Sequence, residues 1–251
     1  MRSRGGCWAL SDAGSKPDPV QAIYDWLWAD ALATFATGRV KTDPHLLDRA
    51  ADDRRGLSLI IRPAPDMIAR MTGLIDRLRQ IAPDQHLYRP DELHITLLAL
   101  LSATSGFDLG AVPVAAYRDL LADLFAHVRP FEVHFTGVTA SPDCVMICGH
   151  SEGDALNVLR DRLREALAQA GLGTSLDRRY RIVTAHATIL RFYAQPANLP
   201  ALVAFLTSLR DHDLGTFRVE QVEFVTNDWY MSHDRVQVLA RYPLAQCMFP
   251  V

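Results

Sequence analysis

The strongest constraint on how this chain can fold is an order of apolar segments that occurs twice. From residue 56 the sequence reads strand, helix, strand, helix, strand, and then repeats that order. In the first pass "GLSLIIR" (56–62) is a short continuous apolar run, as buried strands are. "APDMIARMTGLIDRLRQIA" spaces Met67, Ile68, Met71, Ile75 and Leu78 along one helical face. "ELHITLLAL" (92–100) predicts a strand, "VPVAAYRDLLADLFAHV" a helix and "FEVHFTGVT" (131–139) a strand. The second pass reads "CVMICGH" (144–150), a helix closed by Gly171, "IVTAHATILRF" (182–192), a helix from "NLPALVAFLTSLRDHD" and a strand from "GTFRVEQVEFVTN". A last strand, "RVQVLARYPL" (235–244), follows. Corresponding strands lie 86 to 92 residues apart, so one unit is duplicated or two are built alike. The expected fold class is α+β: a duplicated bilobal fold, two mainly antiparallel sheets flanked by helices around a central cleft.

The middle strand of each unit carries the same unusual element. The first reads "HITLLAL" and the second "HATILRF", each a His-x-Thr followed by an aliphatic residue, with His94 and His186 92 residues apart. Side chains two apart in a strand point the same way, about 7 Å from one another. His94 and Thr96 therefore share a face, as do His186 and Thr188. Each pair offers an imidazole that exchanges a proton near neutral pH and a hydroxyl that donates to an anionic oxygen. One such element in a strand says little, since a lone histidine there is usually a satisfied structural residue. Two, at the equivalent place of a repeated unit, point to a site shared between lobes. Two histidines on opposite sides of a phosphodiester suit general acid and base catalysis, with the threonines holding the phosphoryl oxygens.

The rest of the chain narrows the class. Residues 1–16 have no periodicity and are expected to be a flexible tail. Residues 17–55 are expected to be an N-terminal helical extension, with Val20, Ile23, Tyr24, Leu27 and Leu32 near one stripe, a stop at Gly38 and a second short helix over "DPHLLDRAADD". Residues 56–251 are expected to form the bilobal domain. The formal net charge of −3 argues against binding a long nucleic-acid tract through its backbone. The four cysteines form no CxxC pair, and two histidines are too few ligands for zinc, so neither metal nor cofactor is expected. Residues 1–16 hold no long apolar run, so no signal peptide is expected; no run is long and apolar enough for a membrane span, and the expected location is the cytoplasm.

At these residues the sequence resembles the 2H phosphoesterase superfamily of 2'-5' RNA ligase-like and cyclic phosphodiesterase proteins, and in particular its bacterial RNA-ligase-like branch. The resemblance rests on "HITL" at 94–97 and "HATI" at 186–189, within "LYRPDELHITLLAL" and "RYRIVTAHATILRF", and spans about residues 56 to 244. It implies catalytic His94 and His186, phosphate-binding Thr96 and Thr188, and a small nucleotide or RNA-end substrate carrying a 2',3'-cyclic phosphate or 2'-5' linkage. It implies no metal. Relatives often carry an arginine where Arg191 stands; strand parity puts Arg191 opposite His186 unless a bulge re-aims it. Tyr88 and Tyr230 are further candidate substrate-binding residues, as platforms for a base. Arg178, Arg179 and Arg181 form either a local anion-attracting rim or a solvated basic loop. "HFTG" at His134 fits His-x-Thr but misses the symmetry. A non-catalytic protein that binds a nucleotide or phosphate ligand in the same cleft is the alternative, and the sequence leaves the oligomeric state open.

Overall fold

In chain order the elements are α1 (Pro19–Phe35), β1 (Arg55–Ile61), α2 (Pro65–Ile81), β2 (His86–Leu87), β3 (Ile95–Thr104), α3 (Val114–Phe125) and β4 (Phe131–Ser141). They continue with β5 (Cys144–Ser151), α4 (Ala155–Gln169), β6 (Ala187–Arg191), α5 (Leu199–Ser208), β7 (Asp213–Val219), β8 (Gln221–Asn227) and β9 (Gln237–Pro243). The structure is a computed structural model and describes residues 18–173, 176 and 181–245. Two antiparallel sheets result, a four-stranded one in the order β3-β1-β8-β9 and a five-stranded one in the order β2-β6-β5-β4-β7. This is the α+β, two-sheet architecture expected from the repeat.

The assignment of strands to sheets runs crosswise. The first unit supplies β1 and β3 to the four-stranded sheet but sends its third strand, β4, to the other. The second unit places β5 and β6 in the five-stranded sheet, and its third strand divides. The expected single strand over 215–227 breaks at Glu220, with β7 pairing β4 in one sheet and β8 pairing β1 in the other. Burial shows why. β7 alternates exposed and buried residues, as a strand with one face in solvent does, whereas β8 is buried at every position after its first, as a strand covered on both faces is. The helices cross over too: α2 packs on β7, while α3 packs on β9 and α4 on β3. One continuous apolar core joins both sheets, running from Leu57 and Leu59 through Leu97 and Phe135 to Ile189 and Phe224.

Two further expectations change locally. The short helix over 43–53 shrinks to one 3-10 turn, Pro44–Leu46, followed by turns. Asp43 and Asp48 accept hydrogen bonds from the backbone N–H groups of His45 and Ala51, the local competition by which aspartate breaks helices. The strand expected from residue 182 starts only at Ala187, because the carbonyls of Ile182 and Thr184 bond to Arg164 and Arg160 rather than to a ladder.

The N-terminal segment builds into this fold. Tyr24, in α1, is fully buried; its hydroxyl donates to the Gly149 carbonyl (3.0 Å) and accepts from the Gly149 N–H (3.1 Å). The Thr139 hydroxyl donates to the Tyr24 carbonyl (2.9 Å). Residues 39–54 then run between the sheets as a strap. Lys41 and Asp43 donate backbone N–H groups to the carbonyls of Pro142 and Phe192, both at 2.8 Å. At the other sheet the Tyr230 hydroxyl donates to the Asp43 carboxylate (2.7 Å), and Arg49 bonds the Ser232 hydroxyl. Tyr24→Phe strips both Gly149 groups of this partner in a dry place and is expected to cost about 1–3 kcal/mol, read as a lower urea midpoint with unchanged slope.

Candidate active site

Each motif histidine sits immediately before its strand, His94 ahead of β3 and His186 ahead of β6. Each is anchored through Nδ1 by the residue two positions upstream. His94 Nδ1 lies 2.7 Å from the Glu92 carbonyl, and His186 Nδ1 lies 2.7 Å from the Thr184 hydroxyl. Among the described residues nothing hydrogen-bonds either Nε2 or the hydroxyls of Thr96 and Thr188. Both imidazoles are half-buried. They lie near enough together that charge on His94 acts on His186.

A β-bulge follows the threonine in both copies. β1 pairs Ile60 with Thr96 and Leu59 with Leu98, which leaves Leu97 as the extra residue. β5 pairs Met146 with Thr188 and Val145 with Leu190, which leaves Ile189 extra. Leu97 and Ile189 occupy the same position of the two motifs. The second bulge reverses strand parity beyond it. Arg191 pairs with Cys144 and Thr188 with Met146, and those two share a face of β5, so Arg191 lies on the face of Thr188. The condition attached to Arg191 by strand parity is thus met. On β3 the equivalent position is Ala99, so an arginine is present on one side only.

The electrostatics follow from burial and three guanidinium groups. Burial pushes His94 down to about 4, helped by the charges of Arg62 and Arg191 and opposed by the hydrogen bond to the Glu92 carbonyl. Burial pushes His186 down to about 3, helped by Arg160, His94 and Arg191. Arg191 is held by the Tyr88 hydroxyl, which accepts from its Nε at 3.0 Å, and by Asp143 at 3.6 Å. Arg62 donates to the Leu93 carbonyl (3.1 Å) and faces Glu223 (3.5 Å).

Arg160, on α4, is 0% exposed. Its Nε donates to the Leu97 carbonyl (2.9 Å), and its Nη2 to the carbonyls of Thr96 (2.8 Å) and Thr184 (2.9 Å).

The structure therefore brings His94, His186, Thr96, Thr188 and Arg191 to one place. Tyr88 and Tyr230 are set differently from a base platform. They are 2% and 1% exposed, so neither ring offers a free face. His86 packs edge-on to both, and their hydroxyls serve Arg191 and the strap. His134 belongs to the β4–β7 edge, bonded to the Thr216 hydroxyl at 2.9 Å and near Asp213. Arg181 is exposed and paired with Asp161 (2.6 Å); Arg178 and Arg179 lie outside the described residues, as do Cys7 and Cys247. Cys144 and Cys148 are free and buried. Among the described residues no group of three or more His, Cys, Asp or Glu is placed to hold a metal ion, and no helix is long and apolar enough to cross a membrane.

Sequence reasoning missed Glu92, Thr184, Arg62 and Arg160. Only Thr184 had a signal: extending the second motif back by one same-face step gives "TAHAT", with a hydroxyl at the new position, whereas Glu92 acts through a backbone carbonyl that any residue would supply. The arginines had none, because packing alone brings them to the motifs.

Residues 64–229 match the family described as the 2'-5' RNA ligase superfamily. No curated protein sequence matches the chain. Among solved structures, TT0787 of Thermus thermophilus superposes with a TM-score of 0.55 at 18% identity, over 75% of this chain and 97% of that one. LigT of E. coli, solved with 3'-AMP, superposes with a TM-score of 0.51 at 16% identity, over 77% of this chain and 99% of that one. ATU0111 of Agrobacterium tumefaciens gives 0.54 at 15% identity, over 84% and 97%. What is shared at these identities is the two-lobed fold.

The depressed histidines have a measurable consequence. Unfolded, both would titrate near ~6.5. The unfolded chain therefore binds more protons below that pH, and this part of the stability is lost as pH falls toward about 4 and then about 3. Imidazole NMR should find His94 and His186 still neutral at a pH about one unit below the ordinary histidine value, where exposed histidines are charged. Titration of both at the ordinary value would show the site to be wet.

Proposed function

The chain belongs to the 2'-5' RNA ligase superfamily, and from that membership we propose that it is a metal-independent phosphodiesterase. Its substrates would be nucleotide or RNA-end phosphodiesters, either a 2',3'-cyclic phosphate or a 2'-5' linkage. The observation that carries this reading is the matched pair of Nδ1-anchored histidines, each with a free Nε2 and a threonine hydroxyl on the same side. Such a set can take a proton from one oxygen of a phosphodiester and give one to another. The guanidinium groups of Arg62, Arg160 and Arg191 act on the imidazoles, and their charge favours an anion there. That LigT was solved with 3'-AMP, a nucleotide with its phosphate on the ribose, supports the same substrate class.

The anchors differ, and the difference supports one division of the roles. A carbonyl only accepts, so Glu92 keeps His94 protonated at Nδ1 and stabilises its cation. Thr184 offers a hydroxyl, which gives the His186 cation less support, and Arg160 opposes that charge further. In this reading His186 Nε2 takes the proton from the attacking water as the new P–O bond forms. His94 Nε2–H protonates the ribose oxygen as the old bond breaks. Thr96 and Thr188 donate to the non-bridging oxygens, whose negative charge grows in the transition state. Arg191, braced by Tyr88, balances the phosphate charge. The donor set of two histidines and two hydroxyls asks for no metal.

The test is a panel of nucleoside 2',3'-cyclic phosphates and 2'-5' dinucleotides, with EDTA and with His94→Ala and His186→Ala. EDTA is expected to leave turnover intact. Each variant should lose about 10²–10⁴-fold in kcat while keeping its fold. A protein that merely binds the ligand would turn over nothing on the panel, and full activity in either variant would rule out the two-histidine scheme. The pH profile carries a sign. Since the reactive complex carries a proton that His94, with a value at about 4, lacks in the free enzyme near neutrality, kcat/KM should rise as pH falls from neutrality toward 5.

A further inference from the structure

The two half-sites lie on different sheets, and one buried side chain holds both. Arg160 bonds the carbonyls of Thr96 and Leu97 on one side and that of Thr184 on the other. Thr96 and Thr188 are the hydroxyls assigned to phosphate, and Thr184 is the residue whose hydroxyl orients His186. Within two or three residues of each histidine, then, the backbone is tied to the same rigid plane of atoms. β3 is an edge strand, so no further strand takes its outward carbonyls. In a regular strand successive carbonyls point to opposite sides. The bulge at Leu97 turns two successive carbonyls toward one guanidinium. On the other side the segment 182–186 has left the ladder, which frees the Thr184 carbonyl. That segment lies tight on β5: a Cβ on Gly149 would fall 2.1 Å from the Ala185 carbonyl oxygen. The Asn157 side chain braces the guanidinium by accepting from Nη1 at 3.0 Å.

We propose that Arg160 is a positioning residue for the two-histidine chemistry, its planar guanidinium setting the gap between the half-sites by holding both motif backbones at once. The inference rests on the catalytic reading above. A planar fork with fixed donor directions can do this, whereas a lysine ammonium on a flexible stem cannot hold three carbonyls in register. The charge has a second effect, since it helps keep His186 neutral and so available as the base.

The test uses the full chain and whichever panel substrate the wild type turns over fastest. Arg160→Lys is expected to lower kcat about 100-fold, the scale of a misplacement of about 1 Å, with KM within about threefold. Arg160→Met should lose as much kcat. It should also raise the titration midpoint of His186, which Arg160→Lys, keeping the charge, should leave in place. Asn157→Ala removes the brace, together with a hydrogen bond to the exposed Asp154 carboxylate, from a half-buried position, and should lower kcat about fivefold with KM unchanged. It keeps the question open to test should the Arg160 variants fold poorly. Wild-type kcat in Arg160→Lys overturns the proposal, as does unchanged kcat in Asn157→Ala. So does a kcat loss that merely tracks the unfolded fraction seen by circular dichroism. These failures leave the catalytic reading standing. A wild type that turns over no panel member defeats that reading, and this inference with it.

Discussion

A strand shows every second side chain to a given side, and that alternation governs what this site can hold. Five residues after a motif histidine, a regular strand would point its side chain to the opposite face. The bulges at Leu97 and Ile189 interrupt the alternation at the same step of both motifs. Beyond Ile189 the interruption swings Arg191 to the side of Thr188, where the Tyr88 hydroxyl fixes it. At Leu97 it turns two successive carbonyls to Arg160. The same irregularity thus supplies a charge to one half-site and an anchor to the other. Bulges beside a site are commonly this sort of device.

The charges around the histidines compose a coupled system. Burial, helped by three arginines, pushes both imidazoles toward the neutral form. An anion entering among them would cancel part of that positive field and favour an imidazolium. For the proposed phosphodiester substrate, binding and proton uptake would be linked events, each assisting the other. In the proposed reaction the acid form need not be stored in advance, because the charge of a bound phosphodiester would help to create it.

Much of this was legible in the sequence, and the boundary has a physical reason. The doubled order of segments and the pair His94–Thr96 with His186–Thr188 depend on local periodicity, which one strand or helix records by itself. Arg191 was half legible: its position was visible but its side of the strand hung on a bulge, and no residue pattern marks Ile189 as extra. The exchange of β4 and β8 between sheets was hidden, because pairing partners far apart leave no trace in local spacing. For the same reason Arg160 looked like one more arginine on an amphipathic helix, and Tyr88 and Tyr230 looked available when their rings are enclosed.

The family match runs from 64 to 229, yet β1 ends at Ile61 and β9 begins at Gln237. Both strands belong to the four-stranded sheet, where β1 is the piece between β3 and β8. A fragment trimmed to the matched span would keep both histidines and half of that sheet. Its two remaining strands would face each other across a missing one, with no hydrogen-bonding neighbour for either. β3, which follows His94, would then have only Arg160 and its helices to hold it. What is recognisable in common with a family and what can stand as a folded body are different lengths of this chain. Both histidine motifs lie within the shorter length, and half of the sheet that carries the first of them lies outside it.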